Sequence, residues 1–229
     1  MKQTIITFFL FIISVLSYSQ QPKMPANAVR IEPESIYSRL YNLQTGKKMT
    51  QEDFNFLIKE KGKVSFLPFF DKWGEIEKYY YNPNPTIRKN SGNDSPKVKK
   101  TFPDFVFTTS ENKKIALEDL KGKLIIIHIG LIRNNQLINM DNILALESKI
   151  KASIKSSKIE ALILFEDSKE DILKVLDIKK TTFTLIPNGL GFIKKWNTLM
   201  RPTTLIIDKK GKFLGEYMYN SEIDELLNK

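Results

Sequence analysis

The chain has no cysteine among its 229 residues and a single histidine, His128. Without sulfur there is no thiol nucleophile, no disulfide, no zinc–thiolate site and no iron–sulfur cluster. One histidine leaves no His-rich metal site and no Cys–His pair. Acid is also in short supply, with 26 Asp and Glu against 36 Lys and Arg, for a net charge of +10. Long apolar runs are missing too. Ile5 to Leu16 is about half of the roughly 20 residues that a membrane-spanning helix needs. What is present, 41% hydrophobic and 27% charged residues, is the composition of an ordinary globular protein.

Lys2, the short apolar run and Ser17-Tyr18-Ser19 form the pattern of a secretory signal peptide over residues 1–19, cut ahead of Gln20. No cysteine follows that could carry a lipid. The mature chain is therefore expected outside the cytoplasm, periplasmic or secreted, with no transmembrane segment after cleavage. Its stability must come from its core, because the disulfides that such a compartment permits are absent. The basic excess is uneven: sixteen basic and nine acidic residues precede position 101. Several of them (Arg88, Lys89, Lys97, Lys99, Lys100) belong to the stretch 82–100, which also carries Pro83, Pro85, Gly92 and Pro96. That stretch has no apolar period and reads as a solvated linker rather than a nucleic-acid site. It divides a small N-terminal α+β unit, residues 22–81, from a larger unit, residues 101–229.

In the N-terminal unit, Ile36, Leu40 and Leu43 stand at helical spacing. Thr50 and Asp53 begin a capping box ahead of Phe54, Leu57 and Ile58. Val64–Phe70 and Glu75–Tyr81 flank Asp71-Lys72-Trp73-Gly74 as a hairpin. The aromatics of this region, Phe66, Phe69, Phe70, Trp73 and Tyr79 to Tyr81, are expected to be core rather than a ligand-stacking surface.

The C-terminal unit alternates strands and helices. Phe105–Thr108 and Lys114–Ala116 form an entry hairpin. Lys123–Ile129 and Ile159–Phe165 are apolar enough to be strands buried on both faces. The apolar period from Asn134 onward (Leu137, Ile138, Ile143, Leu144, Leu146, Ile150) predicts a helix starting at Asn134. Ser168 caps the next helix, Phe183–Ile186 is a short strand, and Thr203–Ile207 with Lys212–Tyr217 closes the order as an antiparallel pair. The fold class is α/β, a central mixed sheet flanked by helices. Pro187-Asn188-Gly189-Leu190-Gly191 has two glycines but not the spacing of a phosphate or dinucleotide loop.

Two motifs narrow this. Phe102-Pro103-Asp104-Phe105, followed by Leu117-Glu118-Asp119-Leu120-Lys121-Gly122-Lys123, resembles the entry of the TlpA/ResA, AhpC/TSA-type branch of the thioredoxin-like superfamily. Arg201-Pro202-Thr203-Thr204 and the turn Asp208-Lys209-Lys210-Gly211 resemble that branch's proline-Thr-Thr strand and Asp-x-x-Gly turn. The resemblance covers about residues 102–228. It implies a thioredoxin-like sandwich, with Pro202 at a cis peptide facing the active site, and a Cys-x-x-Cys pair about ten residues beyond Lys123. Here those four residues are Asn134-Asn135-Gln136-Leu137, so neither thiol is present and thiol–disulfide exchange and peroxide reduction are both excluded.

The expected function is accordingly a redox-inactive binding or structural protein of the bacterial cell envelope, not an enzyme. It would use the old active-site surface (Arg133, Asn134, Arg201 and Pro202) to hold a protein or peptide partner. Asn134 is expected to cap the helix, and Arg133 with Arg201 to face an anionic group beside the helix end. No cofactor, metal or nucleic acid is implied. The alternatives are an enzyme with non-thiol chemistry, for which His128 would be the leading base, or an assembly partner that docks through the aromatic N-terminal unit. The position of His128, late in the central strand, predicts a packed core residue instead.

Overall fold

The computed structural model describes residues 36–62, 64–84, 95–134, 136–137, 140–153, 158–177, 181–198, 202–218 and 223–227. The expected signal peptide and residues 85–94 of the expected linker lie outside this set. Residues Arg39–Lys229 form one compact unit. Among the described residues no helix is long and apolar enough to cross a membrane.

A three-stranded sheet comes first. Strand β1 (Leu40–Asn42) runs parallel to β3 (Ile76–Tyr81), which pairs antiparallel with β2 (Phe66–Phe70). The helix expected around Leu40 is instead this short strand. Asn42 Oδ1 accepts from the amides of Gln44 and Thr45, and Gly46 takes a φ of +68°, so the chain turns where a helix would continue. Helix α1 (Gln51–Lys61) starts as the capping box predicts, with Thr50 and Asp53 bonding each other's amides at 2.9 and 3.1 Å. Phe70, Tyr79 and Tyr81 are buried, Phe54 stacks on Phe66 at 5.6 Å, and Trp73 stands about half exposed at the hairpin tip. Three of the seven aromatics are therefore buried, while Phe66, Phe69 and Tyr80 are half-buried.

The entry hairpin, β4 (Val106–Thr108) and β5 (Lys114–Ala116), leads through a 3-10 turn (Leu117–Leu120) into the central sheet. That sheet is made of β6 (Leu124–Gly130), β9 (Ile159–Phe165), β10 (Thr184–Ile186), β11 (Thr203–Ile207) and β12 (Phe213–Tyr217), in the spatial order β10-β9-β6-β11-β12. The first three run parallel, and β11 is antiparallel to both β6 and β12. Strands β7 (Ile132–Arg133) and β8 (Gln136–Leu137) form a separate small hairpin. Helix α2 (Met140–Ala152) precedes β9, α3 (Lys169–Val175) follows it, α4 (Leu190–Lys195) leads toward β11, and α5 (Asp224–Leu227) comes last. A mixed sheet of this order, with parallel crossovers first and an antiparallel pair last, is a thioredoxin-like α/β sandwich.

Period-two alternation in β6 explains why it is apolar on both faces, His128 apart. Ile125, Ile127 and Ile129 enter one core with Phe102, Phe105 and Trp196, and Ile126 enters a second with Ile143, Leu146 and Ile150 of α2. Each fully buried side chain of this size contributes about 1.5–3 kcal/mol. The first core is dense in aromatics: Phe105 stacks on Phe107 at 4.2 Å, and Phe102 meets Trp196 edge-on at 4.9 Å. The hairpin β2–β3 packs on this layer by close backbone approach. A Cβ on Gly191 would lie 1.7 Å from the Gly74 carbonyl oxygen. Lys195, itself buried, donates through Nζ to the carbonyls of Asp71 at 2.9 Å and Asp104 at 3.0 Å. The two glycines of the 187–191 loop thus serve chain contact, not phosphate binding.

Candidate functional site

Parallel β6 and β9 end side by side, Gly130 opposite Phe165, and β11 enters beside them with Thr203 opposite Ile129. Register alone therefore brings three segments to one edge of the sheet: Pro202, Gly130–Leu131 and Phe165–Glu166. In open α/β sheets the carboxyl ends of parallel strands are where ligands bind. Gly130 is required there because a Cβ would sit 2.3 Å from the Phe165 ring. The loop after β10 closes the other side, with Gly189 N donating to the Phe165 carbonyl at 2.6 Å and Asn188 N to the Asp167 carbonyl at 2.9 Å.

Beyond Gly130 the chain departs from expectation. The helix does not begin at Asn134 but at Met140. Between them Arg133 pairs with Gln136 and Ile132 with Leu137, so Asn134 occupies the tip of a two-residue hairpin. Its φ of +51° is the left-handed conformation that asparagine tolerates and that such tips demand. Asn134 is thus no helix cap, and the positive end of α2 does not lie at this position. The apolar residues Leu137 and Ile138 extended the helical period by coincidence. The informative signal was Asn-Asn between Ile132-Arg133 and Gln136-Leu137.

Arg133 and Asn134 are both exposed, and Pro202 is half-buried. Arg201, and with it the peptide bond expected to be cis, lies outside the described residues. The structure adds Glu166 and Asp167, just past the end of β9. Burial, then the neighbouring Asp167 charge, raises the Glu166 pKa, while Lys194 and Arg133 oppose the rise. Burial first, with a contribution from Asp171, raises that of Asp167, whose Oδ2 is buried without a hydrogen-bond partner. Among the described residues the rim is therefore of mixed sign, with the Arg133 charge acting on the Glu166 carboxyl. It offers guanidinium donors and carboxyl acceptors, suited to main-chain and charged groups of another chain.

His128 lies below the rim, opposite Thr204 in the β6–β11 ladder. It is 3% exposed, its Nδ1 lies 2.9 Å from Thr204 Oγ1, and Nε2 has no partner. Burial pushes its pKa down to about 4. A neutral imidazole walled off from solvent does not serve as a base for an external substrate. The leading candidate for non-thiol catalysis is thereby removed.

No family model matches this chain, and no curated protein matches it. Solved structures similar to it include the thioredoxin domain of a thiol-disulfide oxidoreductase from Bacteroides vulgatus, at 13% identity and a TM-score of 0.48, covering 58% of this chain and 96% of that one. A thiol-disulfide oxidoreductase from Bacteroides fragilis is 16% identical with a TM-score of 0.44, over 56% of this chain and 99% of that one. Thioredoxin peroxidase I of Plasmodium yoelii is 19% identical, again with a TM-score of 0.44, over 57% and 87%.

Proposed function

We propose that this is an exported thioredoxin-fold protein of the TlpA-like branch that binds a protein or peptide partner of the cell envelope and performs no redox chemistry. The observation that carries the proposal is a polar rim at the carboxyl ends of β6 and β9 on a chain with no cysteine anywhere. Arg133, Asn134, Arg201 and Pro202 are assigned to the binding surface, and Glu166 and Asp167 join them as acceptors. A partner chain running past Pro202 would meet a guanidinium on one side and carboxyls on the other. Attraction of this kind is salt-sensitive because the groups are near the surface.

The test is capture of a partner from cell-envelope extract by the mature chain and by an Arg133→Ala/Arg201→Ala variant. The reading expects the wild type to retain a partner that the variant loses, at unchanged thermal stability. Undiminished capture by the variant removes the rim from the assignment. Fractionation tests export separately: mature chain beginning near Gln20 outside the cytoplasm is expected, and uncleaved chain in the cytoplasm contradicts it.

A further inference from the structure

The opposite end of the central sheet carries a cavity. Strands β6 and β9 are seven residues long, so at about 3.3 Å per residue their starting ends lie roughly 20 Å from the rim. Leu124 and Ile159, the first residues of these strands, form the floor with Leu214 of β12 and Leu226 and Leu227 of α5. The cavity measures about 470 Å³, inside the range of small-molecule sites, roughly 300–1,000 Å³. Its floor is continuous with the second core, against which Leu124, Ile159, Leu214 and Leu226 pack. The α5 wall is held in place by α2 and the residue after it: Lys149 pairs with Asp224 at 2.6 Å, and Ser153 Oγ donates to the Leu227 carbonyl at 3.1 Å.

The mouth has the opposite character. Lys158, Lys209, Lys210 and Lys212 line it, all exposed and none in a salt bridge among the described residues. Asp208, the acid beside them, is committed to the β11–β12 turn, where its Oδ1 accepts from the amides of Lys210 and Lys212 at 2.8 Å each. Gly211, at φ +76°, completes that turn and keeps Lys209 and Lys210 at the rim. An apolar floor beneath four ammonium groups matches a molecule with an apolar tail and one anionic head. The tail is removed from water along the leucines, and the head gains from four ammonium groups set against the one lining carboxylate, Asp208.

The geometry points to a binding site for a single-chain anionic amphiphile, a free long-chain carboxylate, between the β11–β12 turn and α5. The site is independent of the rim, because no residue is shared.

Dodecanoate below its micellar concentration is the probe, titrated calorimetrically into the full-length chain, with dodecyltrimethylammonium and acetate in parallel. One dodecanoate per chain is expected, with at least tenfold weaker binding of the cation and none of acetate. Lys209→Glu/Lys210→Glu is expected to weaken dodecanoate at least tenfold with an unchanged melting temperature, and Leu214→Gln to weaken it while leaving the lysines in place. Arg133→Ala is expected to have no effect, which separates this site from the partner surface. Equal binding of the cationic analogue, or full binding by the charge-reversed variant, overturns the proposal. So does attachment to vesicles of anionic phospholipid without any binding of free dodecanoate, which would make the lysines a membrane contact.

Discussion

The two ends of β6 solve different problems with the same strand. At its start, Leu124 is only partly covered and faces a cavity floored by aliphatic side chains under a lysine rim. At its finish, Gly130 is packed so closely on Phe165 that no side chain fits, and the surface beyond carries Arg133, Glu166 and Asp167. In a sheet covered on both faces, the strand ends are what remains free to vary. The carboxyl end carries mixed charge and no sulfur, while the amino end combines apolar area with an excess of ammonium groups. Packing constrains the first far more tightly than the second.

The largest effect that separates the two ends is expected from His128. Its folded pKa of about 4 lies below the ordinary histidine value of 6.5. Above pH 6.5 neither folded nor unfolded chain carries the proton. Between 6.5 and 4 the unfolded chain accepts a proton that the folded chain refuses, so folding stability falls by about 3 kcal/mol over that window. Denaturant melts of the wild type and His128→Gln between pH 7 and 4 should diverge by this amount, the variant losing less. Parallel curves would mean that the imidazole is not sealed beneath the rim.

Gly130→Ala is next. The added carbon meets the buried Phe165 ring, and overpacking of this kind costs about 1–3 kcal/mol. Thermal unfolding at neutral pH checks it, and a neutral result would show that the rim end is looser than described. Ser168→Ala removes the cap at the start of α3, where Ser168 Oγ accepts from the Asp171 amide at 3.2 Å, and should cost about 1 kcal/mol. Lys209→Ala, at the opposite end, should shift stability by no more than about 0.5 kcal/mol. Finally, Arg133→Ala should raise the Glu166 pKa further, because the guanidinium now opposes the rise. A carboxyl titration followed by NMR reads the direction, and an unmoved Glu166 would place Arg133 out of its reach.

What the sequence made legible follows from how local each signal is. The buried strands β6, β9 and β11 announce themselves by continuous aliphatic runs, and the caps at Thr50 and Ser168 by residues three apart. The hairpin around Asn134 was hidden because Leu137 and Ile138 happen to continue the period of α2, and β1 because three residues are too few to show alternation. Other features are long-range by nature. The Lys195 contact to Asp71 joins residues 124 apart in the chain, and the lysine-rimmed cavity gathers residues from β6, β9, the β11–β12 turn and α5. Nor does spacing alone show that Glu166 lies within the field of Arg133. Strand register brings them together, and register emerges only with the folded sheet.

The central claim is our proposal that this thioredoxin-like scaffold binds a partner chain at the carboxyl ends of its strands. Photo-crosslinking tests it most directly, with the reactive amino acid placed either at Asn134 or at Phe56, which is 63% exposed on α1, in chain exported from living cells. The account predicts a discrete protein adduct from position 134 that disappears with Arg133→Ala, and none from position 56. Adducts from position 56 alone would contradict it and move the docking face to the aromatic N-terminal sheet.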